Sequence, residues 1–243
     1  MILLPKHYNR FSVANNIERL TEPIFVKDAR YGEYIDAKQN INHDPSPLLS
    51  LHMRQTPIQT LSCLELIHRE AGVETSSLGH ASSHLQEDIA IIRVEGDDDW
   101  LAYCHVSFPS GWRPEEAIGK SFAEIHKDIP GFVSSPPLVR ALLTGHYQRF
   151  VWSPVYENKL NQYPGESRKF DIDNPQFWIK IEKQITIGLP IEGCFLFVMR
   201  QYIYSSEEVD IKVFKNTIGL MSPIHKEYKG ITHEFESFLE KLK

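Results

Sequence analysis

The sequence of 243 residues predicts an α+β domain, in which helices flank a five-stranded antiparallel sheet. Two observations lead to this fold class. Short segments rich in β-branched and aromatic residues follow one another from the middle of the chain onward, with turn signals between them, which is typical of antiparallel strands. Segments with apolar residues at helical spacing precede, interrupt and follow these strands. The predicted elements follow in the order helix, two strands, two short helices, three strands and helices. This order favours one domain in which helices pack on a single antiparallel sheet.

The first element is an amphipathic helix that begins near Pro57. Apolar residues recur at helical spacing from Ile58 to Ile67, and proline is tolerated in a first helical turn because its missing N–H needs no partner there. Residues 1–55 are predicted to be an irregular N-terminal segment, since they are polar and contain the turn-rich stretch DAKQNINHDPSP. Residues 56–243 are interpreted as a single domain.

A hairpin and a corner follow this helix. The segments EDIAIIRV and WLAYCHVSF flank the acidic turn EGDDD and predict an antiparallel hairpin with a loop of about five residues. Pro109 is expected to end the second strand, Gly111 to allow a tight turn, and Pro114 to start a helix. One helix is predicted over PEEAIGKSFAEIHKD, with acidic residues in its first turn and His126 in its last. A second short helix is predicted over PPLVRALLTG.

Three strands complete the predicted sheet. The third strand is YQRFVWSPVYE, and a polar loop of about nineteen residues follows it, a length that usually marks a functional or disordered segment. The fourth strand, FWIKIEKQITIGL, alternates in polarity, so one face is predicted to be largely polar. That face carries Trp178, Lys180, Glu182, Gln184 and Thr186. The fifth strand is GCFLFVMRQYIYS, and two C-terminal helices are predicted after it.

Composition excludes several classes of function. The net charge of −6 speaks against a general nucleic-acid surface, which would be basic. The apolar stretch from Cys194 to Met199 is too short to cross a bilayer, and the N-terminus shows no signal-peptide pattern. The three cysteines form no C-x-x-C pair, which favours a reduced, cytoplasmic location and argues against a cysteine-based zinc or iron–sulfur site. We therefore expect neither a nucleic-acid nor a membrane partner.

Several blocks of the sequence resemble a known family. The segments QEDIAIIRV, HVSFPSGWRPEEAIGKSFAEIHKDIPGF, RFVW, IKIEKQITIGLP and FVMRQYIY, together with the closing YKG, are similar in content and order to the haem-dependent oxidative N-demethylase alpha-subunit-like family. The similarity spans roughly residues 86–230. Its most specific part is FPSGWRPEEAIGKSFAEIH, because this block is long and ungapped.

The resemblance implies a PAS-like fold that binds haem b. It also implies an activity, the oxidation of a secondary methylamine to a primary amine and formaldehyde. Such a reaction uses dioxygen and electrons from a flavin/iron–sulfur reductase partner. Two alternatives stay open: a PAS-like haem protein that senses or stores without turnover, and a structural homologue that has lost haem.

The chain departs from the family pattern at two motifs. The third-strand motif Arg-x-Asn-Trp has Val151 at the Asn position, and the later motif Arg-x-Glu-Arg-Gln-Thr-Leu has Lys180 and Lys183 in place of its two arginines. Lysine does not make the bidentate contacts of arginine. These departures bear on the substrate more than on the cofactor.

Within the resemblance, His126 is the predicted ligand of the haem iron. A neutral imidazole at a helix end can reach iron when an acceptor holds its other nitrogen. The alternative is a helix-terminal cation that stabilises the helix dipole. His105, at a strand end, and His146, after the second short helix, are rival ligands.

The polar strand face predicts the substrate contacts. If this face lines the haem pocket, Glu182 can pair with the ammonium group of a small amine, and Gln184 can orient the substrate or dioxygen. The alternative is a face exposed to water.

Three arginines are candidates to bind the haem propionates, because the guanidinium fork matches a carboxylate. They are Arg113, Arg149 and Arg200. For Arg149 and Arg200 the alternative is a charge that protects an edge strand, and for Arg113 a capping role. Trp112 and Trp152 are expected to contact the cofactor or to pack in the core.

Overall fold

The computed structural model describes residues 16–42, 50–52, 57–165 and 169–242, with no side-chain description for residues 41, 42 and 50–52. Within these ranges, seven strands form one sheet. They are β1 (Glu18–Arg19), β2 (Ser50–His52), β3 (Asp88–Glu95), β4 (Asp98–His105), β5 (His146–Val155), β6 (Trp178–Leu189) and β7 (Cys194–Ser205). The order is β1-β5-β6-β7-β3-β4-β2, and every neighbouring pair is antiparallel.

The helices surround this sheet. Within the described ranges they are α1 (Tyr31–Asn42), α2 (Pro57–Ala71), α3 (Leu78–Ser83), α4 (Pro114–Ala117), α5 (Phe122–Ile125), α6 (Pro136–Thr144), α7 (Ile211–Gly219), α8 (Pro223–Tyr228) and α9 (His233–Lys241). The α+β class is confirmed. None of the helices in the described part of the chain has the length and apolarity needed to span a membrane.

The five predicted strands correspond to β3–β7, and the predicted count of five is wrong by two short edge strands. Glu18 pairs with Gln148 at one edge, and β2 pairs with β4 at the other. Strands of two and three residues are too short to show an alternating pattern, so the sequence carries no signal for them. The hairpin between β3 and β4 is tighter than predicted, because Glu95 pairs directly with Asp98 and leaves a two-residue loop.

The segment over residues 1–55, predicted to be irregular, contributes β1, α1 and β2 to the fold. The parts of that prediction over residues 1–15, 43–49 and 53–55 lie outside the described residues. Helix α1 has two asparagines and a glycine, which are weak helix formers. Buried contacts compensate: Tyr34 is fully buried, and the Lys38 ammonium lies 3.1 Å from the Asp88 carboxylate. Tertiary contacts of this kind override local propensity.

Two predicted helices are each divided by a glycine. The helix predicted over PEEAIGKSFAEIHKD is α4 and α5, because Gly119 has φ of 81° and the side chains of Ser121 and Glu124 form a capping box that starts a new helix. The last predicted helix is α8 and α9, with Gly230 at φ of 67° between them. A positive φ is easily adopted by glycine and ends a helix.

The alternation predicted for β6 is confirmed, and it divides the sheet into two different faces. Isoleucines 179, 181, 185 and 187 are buried in two apolar clusters with residues of α2, α3, α7 and α9. The opposite face carries Lys180, Glu182 and Gln184, and the segment containing α4 and α5 lies over it. Both faces therefore carry apolar packing, and the second face also borders a cavity.

Gly188 provides a test of how closely α6 approaches β6. A Cβ atom at this position would lie 2.3 Å from the Leu143 carbonyl oxygen. Gly188→Ala is therefore expected to lower the free energy of unfolding by about 1–3 kcal/mol, as overpacking does. Chemical denaturation measures this. The matched control is Gly219→Ala, because nothing lies within 4 Å of a Cβ there. Equal stabilities of the two variants would contradict the close approach.

Candidate functional site

A cavity of about 640 Å³ lies between the polar face of the sheet and residues 110–132, and α8 closes one side of it. This volume is in the range of small-molecule sites, roughly 300–1,000 Å³. Apolar side chains from three strands form its floor. They are Ala90, Ile92, Leu101, Phe197 and Met199. The charged and polar side chains come from β5, β6 and the segments around α5 and α8.

The corner after β4 is held by the long polar loop that follows β5. The Gly111 amide donates to the Gln162 carbonyl at 3.0 Å, and the Gln162 amide donates to the Pro109 carbonyl at 3.0 Å. Gly111 adopts φ of 78°, which the tight turn requires. Gly111 thus makes the predicted turn, but β4 ends at His105, four residues before Pro109, which was predicted to end it. The described part of the loop fixes the rim of the cavity.

Arg113 lies at this rim and is already engaged. Its guanidinium donates to the Tyr163 hydroxyl at 2.6 Å and to the Pro164 carbonyl at 3.1 Å. The carboxylates of Glu115 and Glu116 lie 3.7 and 3.6 Å from it. Arg113 therefore clamps the loop to the corner. A propionate would have to share a guanidinium that has these partners.

His126 is the C-cap residue of α5 and lines the cavity. Its Nδ1 lies 2.7 Å from the Phe122 carbonyl oxygen, so Nδ1–H donates and the neutral Nε2 keeps its lone pair. The ring lies between Phe122 and Phe132, with centroid distances of 4.3 and 4.7 Å. Burial is the largest cause that lowers the imidazole pKa, to about 4. The imidazole is therefore neutral near pH 7, the form that binds a metal.

The other histidines are less suited to be ligands. His225 lines the cavity, but its Nδ1 lies 2.6 Å from the Ser222 hydroxyl and its Nε2 lies 3.2 Å from the Pro130 carbonyl. His105 is buried in β4 and His146 is exposed at the start of β5, and neither lines the cavity. Among the described cavity residues, only His126 offers a ring nitrogen that no protein group contacts.

Glu182 and Gln184 are brought together on the cavity face of β6, as predicted. The Gln184 amide donates to one carboxylate oxygen of Glu182, and the Gln201 amide, from β7, donates to the other. Glu182 is opposite Val151 on β5 and Gln201 on β7. The Glu182 carboxylate is thus buried, accepts hydrogen bonds from two amides, and lies on the strand face that lines the cavity. Glu182 is buried and Gln184 is half-buried, so this face lines the cavity rather than the outer surface.

Three cations line the same cavity as this carboxylate. Arg149 lies opposite Gln184, is largely buried, and has neither a hydrogen bond nor an ion pair with the described residues; burial lowers its pKa. Burial also lowers the ammonium pKa of Lys180 and of Lys229 to about 8. Lys229 donates to the Trp152 carbonyl and lies 4.9 Å from the centre of its ring. The cavity therefore has more positive than negative groups near Glu182, and it is suited to a ligand with carboxylates.

Arg200 lies on the opposite face of the sheet, and the prediction that it binds a propionate is not retained. Its guanidinium pairs with Glu87 at 3.0 Å and with Asp28 at 2.6 Å, and it donates to the Val26 carbonyl at 2.5 Å. Strand β7 is apolar on both faces, so its alternation does not show which face Arg200 occupies. The role of Arg200 is to tie the N-terminal segment to the sheet.

This role predicts the effect of Arg200→Met. Removing one partner of a buried ion pair is expected to cost about 3–5 kcal/mol of unfolding free energy, because Glu87 would remain buried without its cation. Denaturant unfolding measures the loss. Haem affinity per folded molecule should stay unchanged. A variant as stable as the original chain would show that the pair contributes little.

The tryptophans are mainly packing residues. Trp152 lies in the apolar cluster under the C-terminal helices, with its ring 5.6 Å from that of Phe214, although it also borders the cavity. Trp112 packs at the margin of the cluster beneath α4–α6 and lines the cavity. Sequence reasoning missed Tyr228 and Lys229 as cavity residues. Their signal was the closing YKG block, which α8 brings against β5.

The fold and the cavity define an α+β protein with a cavity of small-molecule size on one face of its sheet. The family model described as haem-dependent oxidative N-demethylase, alpha subunit-like, matches residues 50–238. The chain belongs to this family. A comparison with curated proteins gives no match.

The residues of the cavity fit a haem. The open Nε2 of His126 would bind the haem iron, the buried Nε of Arg149 has no hydrogen-bond partner among the described residues, and the floor is apolar. Among the described residues, no group of three or more His, Cys, Asp or Glu side chains could hold a metal ion by itself. Haem iron needs few protein ligands, because the porphyrin supplies the others.

Proposed function

We propose that the protein is a haem b-dependent oxidoreductase that removes a methyl group from a small amine. The observation that carries the proposal is the neutral His126 imidazole, with Nδ1 held by the Phe122 carbonyl and Nε2 open to a cavity next to a buried carboxylate. Membership of the family supports the same conclusion. The PAS-like character of the sheet belongs to this proposal as well.

His126 would bind the iron, and Arg149 would pair with a propionate. The Phe122 carbonyl fixes the tautomer and the orientation of the imidazole, as acceptors do for other metal-bound histidines. The Arg149 guanidinium, which has no hydrogen-bond partner among the described residues, would gain a carboxylate that it can bind through two hydrogen bonds. Arg113 would support the rim rather than bind the cofactor directly.

When bound, haem supplies the oxidation. One dioxygen, two electrons and two protons convert one N-methylated amine into the demethylated amine, formaldehyde and water. Glu182 would hold the ammonium group of the substrate, and the amides of Gln184 and Gln201 keep its carboxylate in place. Gln184, which also faces the cavity, would orient the substrate or dioxygen. The apolar floor excludes water from the reacting groups.

The electrons would come from a partner, for which a flavin/iron–sulfur reductase is the proposed class. Neither a Gly-rich dinucleotide motif nor a C-x-x-C pair is present in the sequence. The three cysteines are free and buried, which leaves no cysteine set for a cluster. A haem protein that binds amines without turnover is the alternative function.

Oxygen consumption tests the proposal. The haem-loaded protein is mixed with methylamines, a reductase and its electron donor, and both dioxygen uptake and formaldehyde are measured. We expect uptake that depends on the amine and equals the formaldehyde formed. Haem binding without amine-dependent uptake would favour the alternative function.

A further inference from the structure

Two opposite charges on the cavity face of β6 are neighbours without contact. Lys180 and Glu182 are each 4% exposed and both line the cavity. Residues two apart on a strand lie about 7 Å apart and face the same side. Yet no ion pair or hydrogen bond joins the Lys180 ammonium to the Glu182 carboxylate, whose oxygens instead accept from the amides of Gln184 and Gln201. The two charges therefore do not neutralise each other by direct contact.

The Lys180 ammonium lacks an acceptor. No hydrogen bond joins it to a described residue, and Lys180 lines the cavity although the residue is only 4% exposed, so its ammonium is available to a ligand in the cavity. Lys229, on the neighbouring α8 side, adds a second positive charge, and its ammonium already donates to the Trp152 carbonyl. This end of the cavity is therefore suited to bind an anionic group. The Glu182 carboxylate, in contrast, keeps further lone pairs for a donor.

Lys180 lies some distance from Arg149, the proposed partner of a haem propionate. Arg149 is opposite Gln184, and Gln184 is four residues from Lys180 on the same strand, about 13 Å at the usual rise. Arg149 and His126 both line the cavity. Glu182 lies between Arg149 and Lys180 along β6. Arg149 can therefore serve the haem while Lys180 serves a second ligand.

We propose that the substrate carries a carboxylate as well as a methylated amine, so that its class is N-methylated amino acids. Lys180 binds the carboxylate, and Glu182 binds the ammonium group. A zwitterion that contacts both side chains gives each of these two charges a partner of opposite sign. This inference rests on the function proposed above, and it makes Lys180 a residue that determines specificity.

Ligand titration of the full chain tests the proposal. N-methylglycine, N-methylalanine and dimethylamine are titrated into the haem-loaded protein, and the Soret shift is followed. Fluorescence of Trp112 and Trp152, which line the cavity, gives a second readout on the haem-free protein. We expect the better of the two amino acids to bind at least about tenfold more tightly than dimethylamine, because a charge-assisted hydrogen bond is added.

Variants of Lys180 test whether this residue binds the carboxylate of the substrate. Lys180→Met should weaken binding of the amino acid about ten- to a hundredfold and leave dimethylamine binding within about twofold. Lys180→Arg should restore most of the affinity, because it keeps the charge. The matched control is Lys120→Met, which removes an exposed lysine at the same cavity and should change little. Circular dichroism verifies that each variant is folded.

Three results would overturn the inference: equal or tighter binding of dimethylamine, unchanged amino-acid binding by Lys180→Met, or a loss of haem affinity in Lys180→Met. The last result would assign Lys180 to a propionate. Failure of the proposed function looks different, because a protein that takes up no haem, or that does not oxidise amines, would fail in the Soret or oxygen assays. The fluorescence titration would still show whether Lys180 selects the carboxylate.

Discussion

Replacement of His126 by alanine is expected to abolish stable haem binding, the largest effect that the structure predicts for a single side chain. The imidazole offers Nε2 to the cavity, and the Phe122 carbonyl holds Nδ1 at 2.7 Å. Loss of a partner that merely orients a metal ligand costs about 10–100-fold in affinity, so loss of the ligand itself should cost more than about a hundredfold. Haemin titration, followed at the Soret band, measures the change.

Two controls make this result specific to His126. His146→Ala removes an exposed histidine outside the cavity and should leave haem affinity unchanged. His225→Gln removes the other histidine that lines the cavity. Both ring nitrogens of His225 are engaged, by Ser222 and Pro130, so this variant should also leave haem affinity unchanged. Added imidazole should restore the axial bond in the His126→Ala protein. If His126→Ala binds haem with an unchanged spectrum, the ligand is a different residue.

The second large effect concerns the recognition of the amine. Glu182→Gln keeps the size of the side chain and removes the charge that would pair with an ammonium group. Hydrogen bonds to charged groups contribute about 1.5–3 kcal/mol, which corresponds to a loss of about ten- to a hundredfold in amine affinity. Titration of the haem-loaded variant with amine, followed by the Soret shift, measures it. Haem content should change little, since Glu182 is not a proposed iron ligand.

The control for Glu182 is another carboxylate of the same cavity. Glu116 lines the rim, its side chain is 66% exposed, and Glu116→Gln should bind amine as the original chain does. Gln184 and Gln201 both donate to the Glu182 carboxylate. In Glu182→Gln the new NH₂ group faces one of these two donors, so the thermal unfolding of the variant should be compared with that of the original chain. Equal amine affinity in a stably folded Glu182→Gln protein would make this carboxylate structural only.

The parts of the fold that sequence reasoning predicted are those with a strong period. Strand β6 alternates so regularly that its polar face, with Lys180, Glu182 and Gln184, could be predicted, whereas the cavity that this face lines could not. The corner from Pro109 to Pro114 was also predictable, because proline and glycine restrict the backbone in known ways. The break inside the following helix had a signal too, in Gly119 and the capping box from Ser121 to Glu124.

Other features depend on contacts that are distant in sequence. Helix α1 forms because Tyr34 and Lys38 are buried against later segments, and nothing local indicates this. The face on which Arg200 lies was decided by Glu87 and Asp28, which are more than a hundred residues away. The match of residues 50–238 to the family model confirmed the family. The PAS-like character of the sheet and the roles of the cavity residues stay predictions.

The absorption spectrum of the purified protein is the most direct test of the proposed haem site. Protein produced with an adequate haem supply, or mixed with haemin and freed of excess, should show a Soret band with one haem per chain. The band should be absent or shifted in His126→Ala, because His126 alone among the described cavity histidines offers an open ring nitrogen. A colourless protein that also fails to take up haemin would contradict haem binding, and with it the proposed oxidation of an amine.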